Sequence, residues 1–204
     1  MMMTSVQMQQ FPRMADLSQQ MATRDGTYAR LMAAATGGRN SHTLASMLAN
    51  WSVGESAMPA RMGLSRKSYR AMFMHHFACV QWHEDPAHQG EADYERLPER
   101  DDLIQLMLDS RAGVDDSEAW LAEIIAAACM GVDHLWQDMG LWSRKELSEL
   151  MKRNFPALAA RNNHDMKWKK FLYKQLCEQQ GIYVCRAPSC DVCSDYSICF
   201  GPED

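Results

Sequence analysis

Four cysteines near the end of the chain fall in the array Cys185-x4-Cys190-x2-Cys193-x5-Cys199. Thiolates are soft ligands, and four of them within fifteen residues can converge on one metal centre by folding a single loop. Structural zinc sites favour two closely spaced pairs. Here only Cys190-x2-Cys193 has that spacing. The wider flanking gaps suit a larger object, an iron–sulfur cluster, although the array matches none of the usual ferredoxin spacings. Zinc that simply folds the tail is the competing reading. Around the array, Pro188 is expected to stiffen the loop and the Ser189 and Ser194 N–H groups to donate to sulfur. Tyr183, Tyr196 and Phe200 are expected to exclude water.

Whether these sulfurs are free for a metal depends on compartment. Met1 to Met14 shows no basic start, apolar core and small-residue cleavage site. The longest strongly apolar stretch, Ile124 to Val132, falls far short of the roughly 20 residues that cross a bilayer. The expected setting is the reducing cytoplasm, where disulfides are rare. A chain of 204 residues can bury a core without disulfide staples. With 21 Lys and Arg against 26 Asp and Glu, the net charge is −5, which favours neither nucleic acid nor an anionic membrane as partner. A Gly-rich phosphate loop, an H-E-x-x-H helix and a nucleophile in a recognisable setting are all absent, so the chain does not read as an enzyme.

The elements that must carry the loop read as all-α, a multi-helix bundle followed by an irregular, cysteine-rich metal-binding loop, because apolar residues recur at three and four throughout. Three segments are expected: a loosely ordered lead-in over 1–24, a helical domain over 25–181, and a cluster-binding tail over 182–204. Asp25-Gly26 reads as a turn, followed by a stripe of Tyr28, Leu31, Met32 and Ala35 that stops at Gly37-Gly38. Ser41 and Ser65 read as caps of the next two helices, with Leu44, Met47, Leu48 and Trp51 buried on the first. The polar stretch 83–98 is the expected internal loop. Leu103, Leu106, Met107 and Ser110 form the next face, and the acidic run Asp115 to Glu118 opens a helix that is apolar nearly all round from Trp120 to Cys129. Ser143 and Glu146 fit a capping box. Leu147, Leu150, Met151 and Phe155 follow it, Pro156 interrupts, and a last helix is expected over 165–180.

The C-terminal block His164-Asp165-Met166-Lys167-Trp168-Lys169-Lys170-Phe171, then Tyr173 to Cys177, then the cysteine array closing in Cys199-Phe200-Gly201-Pro202-Glu203, resembles the NifQ family of nitrogen-fixation proteins. The segment Asp133 to Leu141, with Arg144 and Glu146-Leu147, is similar to the same family. The resemblance covers roughly 101–203. It implies a carrier that supplies molybdenum for the iron-molybdenum cofactor of nitrogenase and holds it in a Mo-Fe-S cluster on Cys185, Cys190, Cys193 and Cys199. Nitrogenase cofactor-assembly proteins are the implied partners, and molybdate the implied metal source. A simple iron–sulfur electron-transfer protein and a zinc-stabilised adaptor are the other readings.

Further residues gain interest from that setting. Cys177 could add a ligand or a waiting thiol, or be a small apolar residue packed beside Met166 and Tyr173. His134 could approach molybdenum or a cluster sulfur, or be satisfied by Asp138 four residues on. Lys167, Lys170 and Lys174 share a helix face and could attract molybdate or an acidic partner, or form a solvated face opposite Trp168, Phe171, Leu172 and Leu176. His75-His76 are adjacent, so their rings are expected to point apart and chelate poorly. Cys79 and Cys129 read as core.

Overall fold

The computed structural model describes residues 23–78, 80, 90, 93–179, 181 and 196–200. Among them, the chain forms ten α-helices and no strand. In order these are α1 (Arg24–Ala33), α2 (Ser41–Ser52), α3 (Arg66–His76), α4 (Arg100–Leu108), α5 (Ser117–Ala128), α6 (Leu135–Asp138), α7 (Arg144–Asn154), α8 (Pro156–Arg161), α9 (Trp168–Gln179) and α10 (Tyr196–Phe200), with short 3-10 turns at Ala60–Gly63 and Tyr94–Arg96.

A helix apolar nearly all round must be covered nearly all round, and α5 is, with only Ala119, Trp120 and Glu123 of its residues partly exposed. Leu121, Ile124 and Ile125 are fully buried, each stabilising the fold by roughly 1.5–3 kcal/mol relative to exposure. Helices α3, α4 and α6 and the Ala60–Gly63 turn pack against it. The acidic start of α5 does more than complement a dipole. The buried Glu118 carboxylate accepts the N–H groups of Gly113, Val114 and Asp115 at 2.7, 3.0 and 3.3 Å, closing the turn onto the helix.

The expected buried faces of α2, α4 and α7 are in place: Leu44, Met47, Leu48, Leu103, Met107, Leu147 and Leu150 are fully enclosed. Boundaries differ in instructive ways. Asp25-Gly26 is not a turn: Thr23 Oγ1 accepts the Gly26 N–H at 3.1 Å, and the helix is already running at Arg24. Thr23 and Arg24, assigned to the loose lead-in, therefore cap and open α1, while 1–22 lie outside the described residues.

Ser41 is not a cap either, because the cap position is Asn40 and the Ser41 hydroxyl is taken by His76. Ser65 does cap α3 through the Ser68 N–H at 3.0 Å. Of the capping box on α7 only half forms. Ser143 accepts the Glu146 N–H, but Glu146 turns to the Trp142 N–H at 3.0 Å and to the Ser46 hydroxyl. Pro156 does interrupt the run, and it opens α8 from its first position, where a missing N–H costs nothing. Most of the expected loop 83–98, and Cys79, lie outside the described residues.

Candidate metal centre

The helix that leads to the cysteines begins later than the periodicity suggests. Asp165 adopts a left-handed conformation (φ 55°), and the 162–167 stretch is a tied connection before α9. The Asn162 side chain accepts the Met166 N–H at 2.8 Å and donates back to its carbonyl at 2.9 Å. Arg144, from α7, donates to the Asp165 carboxylate at 2.5 Å and its carbonyl at 2.9 Å. Met166 accordingly precedes the helix that carries Cys177 and does not share its face.

That fixed corner holds the end of the chain. The Lys167 N–H donates to the Cys199 carbonyl at 2.8 Å, and Lys167 Nζ donates to the Ser197 carbonyl at 3.4 Å. Cys199 is half-buried and packs with Phe200 against the core. The part of the tail that is described is thus a short docked helix and not irregular chain. Cys185, Cys190 and Cys193 lie outside the described residues, as do Tyr183, Pro188, Ser189 and Ser194.

The second tie at this end of α9 is Lys169. Its ammonium donates to the carbonyls of Gly131 and Asp133 at 2.9 and 2.7 Å and pairs with the buried Asp138 carboxylate. Gly131 is required beneath it, since a Cβ there would collide with the Asp138 carboxylate. Next along this turn is His134, which caps α6 and whose N–H donates to Gln137 Oε1 at 3.2 Å. Asp138 does not serve His134; it is committed to Lys169. His134 and Cys199 are therefore tied to the same end of α9, one through Lys169 and the other through Lys167.

Cys129 and Tyr173 adjoin the ion pair. Burial pushes the Cys129 thiol up to about 12, with the Asp138 carboxylate adding to the rise and Lys169 opposing it. Burial also raises the Tyr173 hydroxyl to about 12. Cys129 is thus a protonated core residue, as its composition suggests. Cys177 sits half-buried on the last turns of α9, about 15 Å along the axis from Lys167 at 1.5 Å per residue. It is at the opposite end from Cys199.

Of the three lysines expected on one face, Lys167 is occupied with α10, Lys174 pairs with Glu178 at 3.7 Å, and Lys170 is exposed. Trp168, Phe171, Leu172 and Leu176 are buried on the other side. Sequence reasoning missed Lys169. The signal was present, since Lys169, Leu172 and Leu176 fall at i, i+3 and i+7, which puts a cation on the apolar stripe and predicts a buried counter-ion.

A cleft of about 520 Å³ is lined, among the described residues, by Arg24, Glu55, Trp136, Gln137 and Trp142 and by none of the expected site residues. Among the described residues, no helix is long and apolar enough to cross a membrane.

The sequence profile of the NifQ family matches residues 43–201. The chain is 45% identical over 161 residues to Protein NifQ of Azotobacter vinelandii, covering 74% of this chain and 82% of the relative. It is 39% identical over 159 residues to Protein NifQ of Klebsiella pneumoniae, covering 72% and 90%. A NifQ homolog of Sinorhizobium fredii is 37% identical over 148 residues, covering 72% and 64%. The match begins well before residue 101, so α2 to α4 belong to the family's common part along with the C-terminal half. No solved structure gives a significant match.

Proposed function

Because the chain belongs to the NifQ family, and so has a role in nitrogen fixation, we propose that it is a carrier of molybdenum for nitrogenase cofactor assembly. Cys185, Cys190, Cys193 and Cys199 would hold an iron–sulfur unit in the cytoplasm. The donor set suits such a group: four soft thiols in fifteen residues, the described one half-buried. When bound, the unit would offer the sulfide ligands and electrons that turn molybdate, a hard oxyanion, into a reduced and thiophilic metal.

The chain's own residues supply the frame. Lys167 anchors the last cysteine to the rigid start of α9, and Lys169 locks the turn carrying His134 to the same corner. A rigid anchor beside an accessible terminal segment suits a site that must receive a metal and give it up. The core against which Cys199 and Phe200 pack would shield one side of the site. His134 would hydrogen-bond cargo held there, and Cys177, at the far end of α9, would act as a waiting thiol. Lys170, exposed on α9, would meet molybdate or an acidic face of the recipient assembly protein. The chain works as a carrier and not as a catalyst.

The observation that carries this reading is the docking of Cys199, the last member of the array, onto the corner that also holds His134. Anaerobically purified protein is expected to be brown and to contain iron, sulfide and molybdenum. A colourless preparation with zinc bound to the cysteines would overturn the carrier in favour of a zinc-stabilised adaptor. Iron and reversible redox chemistry without molybdenum would indicate electron transfer.

A further inference from the structure

Adjacent residues on a helix project about 100° apart, which is why His75 and His76 read as a poor chelate. At the C-terminus of α3 the two rings instead come together, with centroids 4.7 Å apart at 69°. Both also edge against Trp120, at 5.6 and 6.3 Å. Asp115, from the turn before α5, brings its Oδ1 to 3.6 Å from His75 Nε2. One donor atom from each of the three residues lies within 4.8 Å of the other two.

His76 provides an independent indication. It is fully buried, its Nδ1 lies 2.9 Å from the Ser41 hydroxyl, and its Nε2 is buried without a hydrogen-bond partner. A buried ring nitrogen left unpaired is costly, and such groups in native proteins call for an explanation. The His76 ring thus keeps one buried nitrogen available to ligate. Its orientation is set from behind by Ser41, as the outer partner of a ligating histidine commonly does. Gly38 must lack a side chain here, because a Cβ would sit 2.9 Å from His76 Nδ1.

Asp115 is equally constrained. Ser117 donates to its Oδ1 from both backbone N–H (2.8 Å) and hydroxyl (2.5 Å). Thr36 holds the carbonyls of His75 and His76 at 2.8 and 3.0 Å. The helix C-terminus contributes negative potential. A cleft of about 350 Å³, lined by His75, Arg111, Gly113 and Asp115 among others, gives access from solvent and room for water.

We propose that His75, His76 and Asp115 form a binding site for a divalent first-row transition ion of the zinc class, separate from the C-terminal cysteines. Two imidazoles and one carboxylate make a three-ligand set that leaves a coordination position for water. Metal–ligand bonds of about 2.0–2.1 Å require the donor atoms to close to about 3.3 Å in a tetrahedral site. His75, partly exposed, is the residue with room to swing in.

The test uses the full chain, handled anaerobically, with Zn²⁺ alone as the probe. At matched free zinc, wild type is expected to bind one more ion than His75→Ala, whose affinity at this site should fall at least about 100-fold, since even an outer-shell change costs 10–100-fold. Cobalt charge-transfer bands, which report thiolate-bound metal, should be the same in both. Equal zinc stoichiometry in the two proteins would overturn the site. Should His75→Ala fail to fold, nitrogen NMR of the wild-type imidazoles decides the matter: zinc must shift the His75 and His76 ring nitrogens, and unmoved resonances dispose of the proposal.

Discussion

Lys169 carries more of this architecture than any cysteine among the described residues. Its ammonium joins α9 to two carbonyls and to the buried Asp138, so removing it strands a carboxylate in the core. Lys169→Met is expected to destabilise the protein by about 3–5 kcal/mol, the usual cost of breaking a buried pair from one side, as read by urea unfolding. The neighbouring titratable groups predict a pH dependence. Folding raises Cys129 from 9 to about 12 and Tyr173 from 10 to about 12. The native state then keeps protons that the unfolded chain releases, and stability falls as pH rises from about 9 towards 12, with no contribution below pH 9. Urea midpoints measured across that range should fall less in Cys129→Ala than in wild type. At pH 8 an alkylating reagent should modify Cys129 far more slowly in the native protein than in the urea-unfolded chain, because the attacking species is the thiolate.

Between helices, the close approach of the Ala60–Gly63 turn to α5 depends on backbone that few residues adopt. Arg61, Met62 and Gly63 are consecutively left-handed at φ 56°, 54° and 81°. Tyr94 donates to the Gly63 carbonyl at 2.5 Å. A Cβ at Gly63 would collide with that of Ala127. Gly63→Ala combines a left-handed penalty with overpacking against the central helix and should cost about 2–4 kcal/mol in denaturant unfolding. Elsewhere a buried polar hub joins helix ends far apart in sequence: Asn40 donates to Ser117 at 2.6 Å and to Asn154 at 2.7 Å, and Asn154 donates back at 3.1 Å. Such a hub ties the starts of α2 and α5 to the end of α7, and no local pattern announces it.

For the molecule as a whole, the proposed division between a helical body and a cysteine-bearing end that holds metal has a measurable consequence. The core from Leu31 to Leu176 closes on its own apolar surface, and Lys167 holds α10 by backbone carbonyls that do not depend on the cysteine side chains. Cys193→Ser is therefore expected to abolish iron and molybdenum retention while far-ultraviolet circular dichroism changes little. Loss of the helical signal in that variant would mean that the metal folds the protein, as in a zinc finger.

The helices, their buried faces and the near-complete burial of α5 were legible in the sequence, because a period of three and four is a local property that burial converts directly into packing. The family was legible too, from a block of residues whose spacing few other chains share. What no linear reading supplied were partners that meet across long separations: Lys169 with Asp138, Asn40 with Asn154, Lys167 with Cys199, and His75 and His76 with Asp115. Their pairing depends on which side chains the packed core leaves facing one another with charges and hydrogen bonds unsatisfied, and that is settled when the helices assemble, not by the spacing along any one of them.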